Sequence, residues 1–360
     1  MARPPSKFEE MAAVLRWKWQ IMVAVATSVI IVTHSAGTLL GRLYFDGGGR
    51  SKWLATVVQS AGAPLCLPLL CLLSLRVKSP PPPSAARRRD LALIYLSLGF
   101  LISASNLMYS YALLYLPVST FSLLCATQLA FNAVSSYFLN AHRFTPPVLN
   151  SVALLTFSAV LVAVGSESDA SNASRSERRL GVALALAASA LFALTLSLME
   201  LSFERVIKAR TWAAAVEMEV WTSTAATAAA VAGLWASGEW RRVGEEMERF
   251  RRGGRAGYVM ALVGTAAAWQ LYAVGLVALV EAASALFANV TCTVGTALVP
   301  LAAVAVFGDE MDAAKAVAMG IAFWGFASYV YQHYLDESNS KRGVDSCNRA
   351  NGSDAPDACP

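Results

Sequence analysis

The sequence predicts an all-α polytopic membrane protein of about ten transmembrane helices, built as two inverted five-helix repeats. Composition is the first reason: 56% of the 360 residues are hydrophobic and 15% charged, where soluble domains carry about 25% charged residues. Spacing is the second. Apolar stretches of roughly 20 residues, the length a helix needs to cross the hydrocarbon core, follow one another with short basic or Pro/Gly-rich breaks between them. The third is an echo between the two halves of the chain.

Taken in order, the polar residues 1–17 form a cytosolic N-terminal segment. The apolar run Ile21–Leu40 has His34 as its only ionisable residue. It is longer than a signal-peptide core and lacks a small-residue cleavage site, so it is expected to stay as the first span. Hydropathy then places the first five spans near 20–43, 54–75, 91–114, 118–139 and 146–165. After a connecting loop at 166–179, the other five fall near 180–203, 212–236, 257–279, 283–306 and 313–334. The first repeat is thus 18–165 and the second 180–335, followed by a polar Gly/Ser/Asn-rich tail at 336–360 whose composition predicts disorder. Ser79–Pro83, followed by Arg87–Arg89, reads as an extended polyproline linker ending in a basic stop. Asn172-Ala-Ser and Asn351-Gly-Ser match the glycosylation pattern, and only the first falls on the outer side. No room remains for a soluble catalytic domain.

Orientation follows from the basic residues. In the first half a cytosolic N-terminus puts ten lysines and arginines inside and three outside, and early helices usually set the orientation. Both termini are therefore expected in the cytosol. The loop after span seven opposes this with six arginines in Arg241–Arg255, and is read as an interfacial amphipathic helix. The six cysteines (Cys66, Cys71, Cys125, Cys292, Cys347 and Cys359) are scattered without metal-ligand spacing. No metal or cofactor is expected, and no Ser/His/Asp arrangement points to an enzyme.

Tyr111–Thr145 can be laid on Tyr272–Asp312. Each gives a span ending in a Tyr-Ala pair, a very short turn, a span rich in small and polar residues, and a tight polar turn. Five spans per half would invert such a duplication across the membrane, an architecture of many secondary transporters, with the site at the midplane between repeats.

Polar groups at membrane depth are costly and mark candidate sites. Span three carries Asn106 and Tyr109 on one face; span four carries Gln128 and Asn132, four residues apart and pointing the same way. Trp269 and Gln270 lie near the centre of span eight, and Asn289 lies in span nine. Amides beside aromatic faces suit a neutral, planar, nitrogen-rich ligand. The alternative for each amide is an interhelical hydrogen bond worth about 0.6 kcal/mol. Span seven holds Glu217 and Glu219, two residues apart and so about 160° apart around the helix. One can face a cavity while the other faces elsewhere. A carboxyl in a cavity of low dielectric can exchange protons near neutral pH. Glu217, with Trp221 on the same face, is the expected proton-coupling or ligand-anchoring carboxylate; the alternative leaves one or both at headgroup level. Glu200 and Glu204 beside Arg205 and Lys208 read as an interfacial ion-pair cluster. His34 reads as a hydrogen-bonded core histidine, with a proton relay as the alternative.

The stretches GRLYFDGGGRSKWLATVVQSAG, SNLMYSYALLYLPVSTFSLLCATQLAFNAVSSYFLNAHRFTPPVLNSVALLT, LSFERVIK and WGFASYVYQHYLD resemble the plant purine permeases, a branch of the drug/metabolite transporter superfamily. The resemblance runs in one order from about Lys18 to Asp336. It implies ten helices in two inverted repeats, cytosolic termini, and proton-coupled uptake of adenine, cytokinins and related heterocycles by alternating access. Carried onto this chain, it puts Asn106, Gln128, Asn132, Glu217, Trp269, Gln270 and Asn289 on the family's typical pattern. HSAGTLL in span one and the arginine-rich loop depart from it and leave the particular substrate open. The implied partners are a purine-type small molecule, protons and the bilayer, with no nucleic acid, and the plasma membrane is the expected location. A nucleotide-sugar or metabolite exchanger of the same superfamily is the alternative. It is opposed by the lack of lysine or arginine among the candidate residues, since phosphate recognition needs one. A heptahelical receptor would need seven spans.

Overall fold

The computed structural model of the chain describes residues 7–62, 85–140, 146–165, 174–208, 211–282, 284–308 and most of 311–331, and among these every regular element is helical. In the first half, α1 spans Lys7–Asp46, α2 Lys52–Ser60, α3 Ala85–Tyr115, α4 Val118–Cys125, α5 Gln128–Leu139 and α6 Pro146–Gly165. In the second, α7 spans Arg175–Ser202, α8 Trp212–Ser237, α9 Val243–Glu248, α10 Gly254–Ala282 and α11 Ala285–Phe307. A shorter apolar helix, α12, covers Ala313–Gly325. Among the described residues six segments are long and apolar enough to cross a membrane, and the chain is an all-α integral membrane protein. The later part of span two, the polyproline linker, Asn172, Asn351, the tail and Cys66, Cys71, Cys347 and Cys359 lie outside the described residues.

Helices begin where a short polar side chain meets the donors that helix geometry leaves unbonded. Ser51, Thr211 and Ser284 accept the N–H groups of Leu54, Ala214 and Phe287 at 3.0, 3.3 and 3.1 Å, opening α2, α8 and α11. Ser174 and Glu177 open α7 with a reciprocal capping box. At the far end of α1, Arg42 donates to the carbonyls of Leu113 and Leu116 at 3.0 and 3.1 Å and pairs with Asp46 at 2.9 Å, which closes the C-terminal end of α3.

Two segments differ from the expected pattern. Span four is a broken helix, α4 and α5, with a turn at Ala126–Thr127. The hydroxyl and the N–H of Thr127 both converge on the Leu124 carbonyl, at 2.7 and 3.1 Å, and the Leu129 N–H moves to the Ala126 carbonyl at 3.3 Å. Bonds to the third residue back thereby replace bonds to the fourth, and the regular helix stops. The arginine-rich loop is the second case. It forms a 3₁₀ turn, Glu239–Arg242, and then α9, which is fastened onto the α1–α2 turn. Tyr44 donates to Glu246 at 2.9 Å, Ser51 Oγ and the Trp53 N–H donate to Glu239 at 2.7 and 3.1 Å, and the Arg251 N–H donates to the Gly47 carbonyl at 2.9 Å. Gly47 leaves room for the buried Phe250 ring, which a Cβ there would meet at 2.2 Å. The six arginines Arg241, Arg242, Arg249, Arg251, Arg252 and Arg255 all stay exposed.

In the bundle, α1 packs on α10 and α11, α3 on α7 and α8, α5 on α7, α2 on α8 and α10, and α4 on α11. Small residues set the closest approaches. A Cβ on Gly99 of α3 would meet Ala225 at 2.5 Å and the Thr222 carbonyl at 2.8 Å, so only glycine admits α8 there. Large apolar side chains such as Phe100, Phe138, Met260 and Trp324 point outward, as a lipid solvent permits.

Candidate functional site

The packing leaves a cavity in the middle of the bundle. α1 contributes His34, Thr38 and Tyr44, α2 Gln59 and Ser60, and α3 Asn106 and Tyr109; Gln128 comes from the first position of α5. Glu219 and Ser223 of α8 and Trp269 and Tyr272 of α10 add to the polar wall, with hydroxyls from Ser105, Ser122, Thr195, Thr265 and Thr296. Among the described lining residues Glu219 is the one carboxylate, and none is lysine or arginine.

Glu219 is 2% exposed. Its Oε1 accepts the Ser223 hydroxyl one turn along the helix and the Gln270 amide at 3.1 Å. Opposite lies an aromatic corner: the rings of His34, Trp269 and Tyr272 lie 5.2–5.5 Å apart, with Trp269 edge-on to both others. Trp269 reaches this place because Gly37 has no side chain, since a Cβ there would meet the indole at 2.9 Å. Several wall groups are pinned by neighbours. Asn106 donates to Ser60 at 3.2 Å, Gln59 to Ser110 at 2.9 Å, and Tyr109 to Ser189 at 3.3 Å. Two are not. Gln128 Nε2 and His34 Nδ1 are buried at the cavity wall with no hydrogen-bond partner among the described residues. Such a group costs about 1–3 kcal/mol, which a ligand atom placed there would recover.

Of the residues singled out from the sequence, Asn106, Tyr109, Gln128 and Trp269 line the cavity together. Gln270 stands behind the wall and reaches it through Glu219. Asn132 and Asn289 are fully buried away from the lining and make interhelical bonds, the alternative weighed for each amide. Asn132 donates to the Ala285 carbonyl and Asn289 to the Gln128 carbonyl, both at 3.1 Å. Glu217 and Trp221 share one helix face, as their spacing predicts, but it is the exposed face, with Trp221 53% exposed. α8 turns Glu219, Thr222 and Ala226 inward to meet α3 and α10, so Glu219 enters the cavity and Glu217 does not. Glu200 is buried at the end of α7 and accepts from Asn140, outside the lining. His34 departs from its expected role as a hydrogen-bonded core residue, since its Nδ1 is unbonded and it walls the cavity. Gln59 and Ser60 escaped selection, although a polar pair in a span just before Ala61-Gly62 is itself a signal.

Residues 21–339 match the family described as purine nucleobase transmembrane transport. The chain belongs to that family. Among its relatives in Arabidopsis thaliana, probable purine permease 11 is 48% identical over 322 residues, covering 89% of this chain and 85% of the relative. Purine permease 21 is 44% identical over 330 residues, with 91% and 83% covered. Probable purine permease 13 is 44% identical over 328 residues, with 91% and 90% covered. As a purine permease the chain is a transporter and not an enzyme, and the family match extends over both halves, including every residue of the cavity wall.

Proposed function

We propose that this purine permease is a proton-coupled importer of purine bases and related nitrogen heterocycles, cytokinins included, at the plasma membrane, with both termini cytosolic. The observation that carries the reading is the cavity's chemistry: one carboxylate, an aromatic corner, and two unbonded nitrogen groups, without a cation among the described lining residues. Gln128 Nε2 donates to a ring nitrogen or carbonyl of the ligand, His34 Nδ1 and Asn106 engage its edge, and Trp269 covers an apolar surface. Phosphate would have no cationic partner there, which disfavours the exchanger alternative.

Glu219 takes the coupling role in place of Glu217. As a carboxylate it holds the Gln270 amide and Ser223. Protonation removes the charge that draws those donors, so loading a proton and reshaping the wall become one event. The repeats 18–165 and 180–335, inverted relative to each other, would rock about this site. Their pairing supports the assignment: exchanging the first five spans for the last five turns α1–α10 contact into α3–α7 contact, and α2–α10 into α3–α8.

The test is uptake of radiolabelled adenine by transport-deficient yeast at acidic and neutral pH, with and without a protonophore, for the parent and Glu219→Gln. Protonophore-sensitive uptake lost in the variant, with the protein still at the surface, is expected. Uptake indifferent to the proton gradient would remove the coupling.

A further inference from the structure

Asn132 and Asn289 engage each other's helices reciprocally. Asn132, the fifth residue of α5, donates Nδ2 to the carbonyl of Ala285, the first residue of α11, at 3.1 Å. Asn289, the fifth residue of α11, donates Nδ2 to the carbonyl of Gln128, the first residue of α5, also at 3.1 Å. Both asparagines are 0% exposed.

The two carbonyls belong to unlike residues. Ala285 follows the Ser284 cap and carries only a methyl group. Gln128 follows the Ala126–Thr127 turn, where the regular ladder has stopped, and its side chain enters the cavity with Nε2 unbonded. Continuous helix upstream would normally fix the orientation of such a residue. At this break Asn289 Nδ2 reaches its carbonyl from another helix.

We propose that Asn289 is a positioning residue for ligand recognition: by holding the Gln128 carbonyl it aims the Gln128 side-chain amide into the cavity, without touching the ligand. This rests on Gln128 being a ligand contact. Asn132, whose bonds end on Ala285 and on Ser197 at 3.1 Å, holds α5 to α11 and α7 and directs no lining side chain of α11.

The experiment is adenine uptake kinetics, normalised to surface protein, for Gln128→Ala, Asn289→Leu, their double variant and Asn132→Leu. Gln128→Ala and Asn289→Leu are each expected to raise KM about tenfold, the size of one lost hydrogen bond, with the maximal rate within about twofold. The double variant should raise KM no further than the larger single, because both changes remove one contact. Asn132→Leu should lower the amount of folded protein and leave KM within about twofold. Asn289→Ala, read beside Asn289→Leu, and adenine-induced thermal stabilisation of the purified variants give the same comparison where transport itself is weak. A parental KM in Asn289→Leu, alongside a raised one in Gln128→Ala, overturns the proposal. Additive effects in the double variant do so too. A parental KM in Gln128→Ala overturns the reading of the site beneath it.

Discussion

Glu246 and Glu219 are both buried carboxylates that accept a hydroxyl, and they lie in regions that use such a group differently. Glu246, 9% exposed, sits in a closed patch at the α1–α2 turn. It accepts from Tyr44, whose ring lies 5.8 Å from that of Tyr258, and Phe250 packs 5.4 Å from Tyr258 on the other side. The neighbouring Glu239 is saturated in the same way by Ser51, the Trp53 N–H and Lys52 at 3.8 Å. Neither Glu246 nor Glu239 lines the cavity, and these bonds fasten the loop to the bundle. Glu219 has Ser223 and Gln270 on one side and the cavity on the other. A buried carboxylate therefore fastens where its surroundings are closed and exchanges where one side is open to a ligand.

Paired substitutions can break that contrast. The largest effect is expected from Glu219→Gln, which keeps size and removes charge: gradient-driven uptake should fall to background while Glu246→Gln retains it, measured in the same cells. The reverse result would invert the two assignments. Trp269→Ala comes next. Loss of its aromatic face should raise KM about tenfold, with a smaller rise for Gly37→Ala, which crowds the indole without deleting it. Third, Glu246→Gln should destabilise the protein by about 1–2 kcal/mol, seen as a lower melting temperature in detergent, with KM unchanged. A raised KM in Glu246→Gln would show that the patch is not closed. The smallest effects belong to Glu217→Gln and Trp221→Ala, whose uptake rates should stay within about twofold of the parent, as for other exposed positions.

What the sequence made legible follows the reach of each signal. Apolar length locates the six spanning segments found among the described residues, because lipid imposes it residue by residue, and the spacing of Glu217 and Glu219 dictates that they part to opposite faces. Which face looks inward is decided by the packing of α8 on α3 and α10, and no local pattern carries that. The same limit explains the amides: Gln128 and Asn132 stand one turn apart on α5, yet one enters the cavity and the other bonds a carbonyl on α11. The arginines of the loop mark a solvated face, while Glu246 and Phe250, which hold that loop down, are hidden among them in sequence.

The turn at Ala126–Thr127 also bears on how the protein is made. Of the six segments among the described residues long and apolar enough to cross a membrane, Val118–Leu139 is the least apolar and the most thoroughly enclosed by its neighbours. A segment of that kind gains little from lipid alone when it leaves the translocon, and its second half-helix, α5, finds polar partners on α7 and α11, which emerge later. Its integration is thus a late, cooperative step. Substitutions in the downstream helices that remove those partners would be felt first as chains retained by quality control, before any altered transport could be observed at the cell surface.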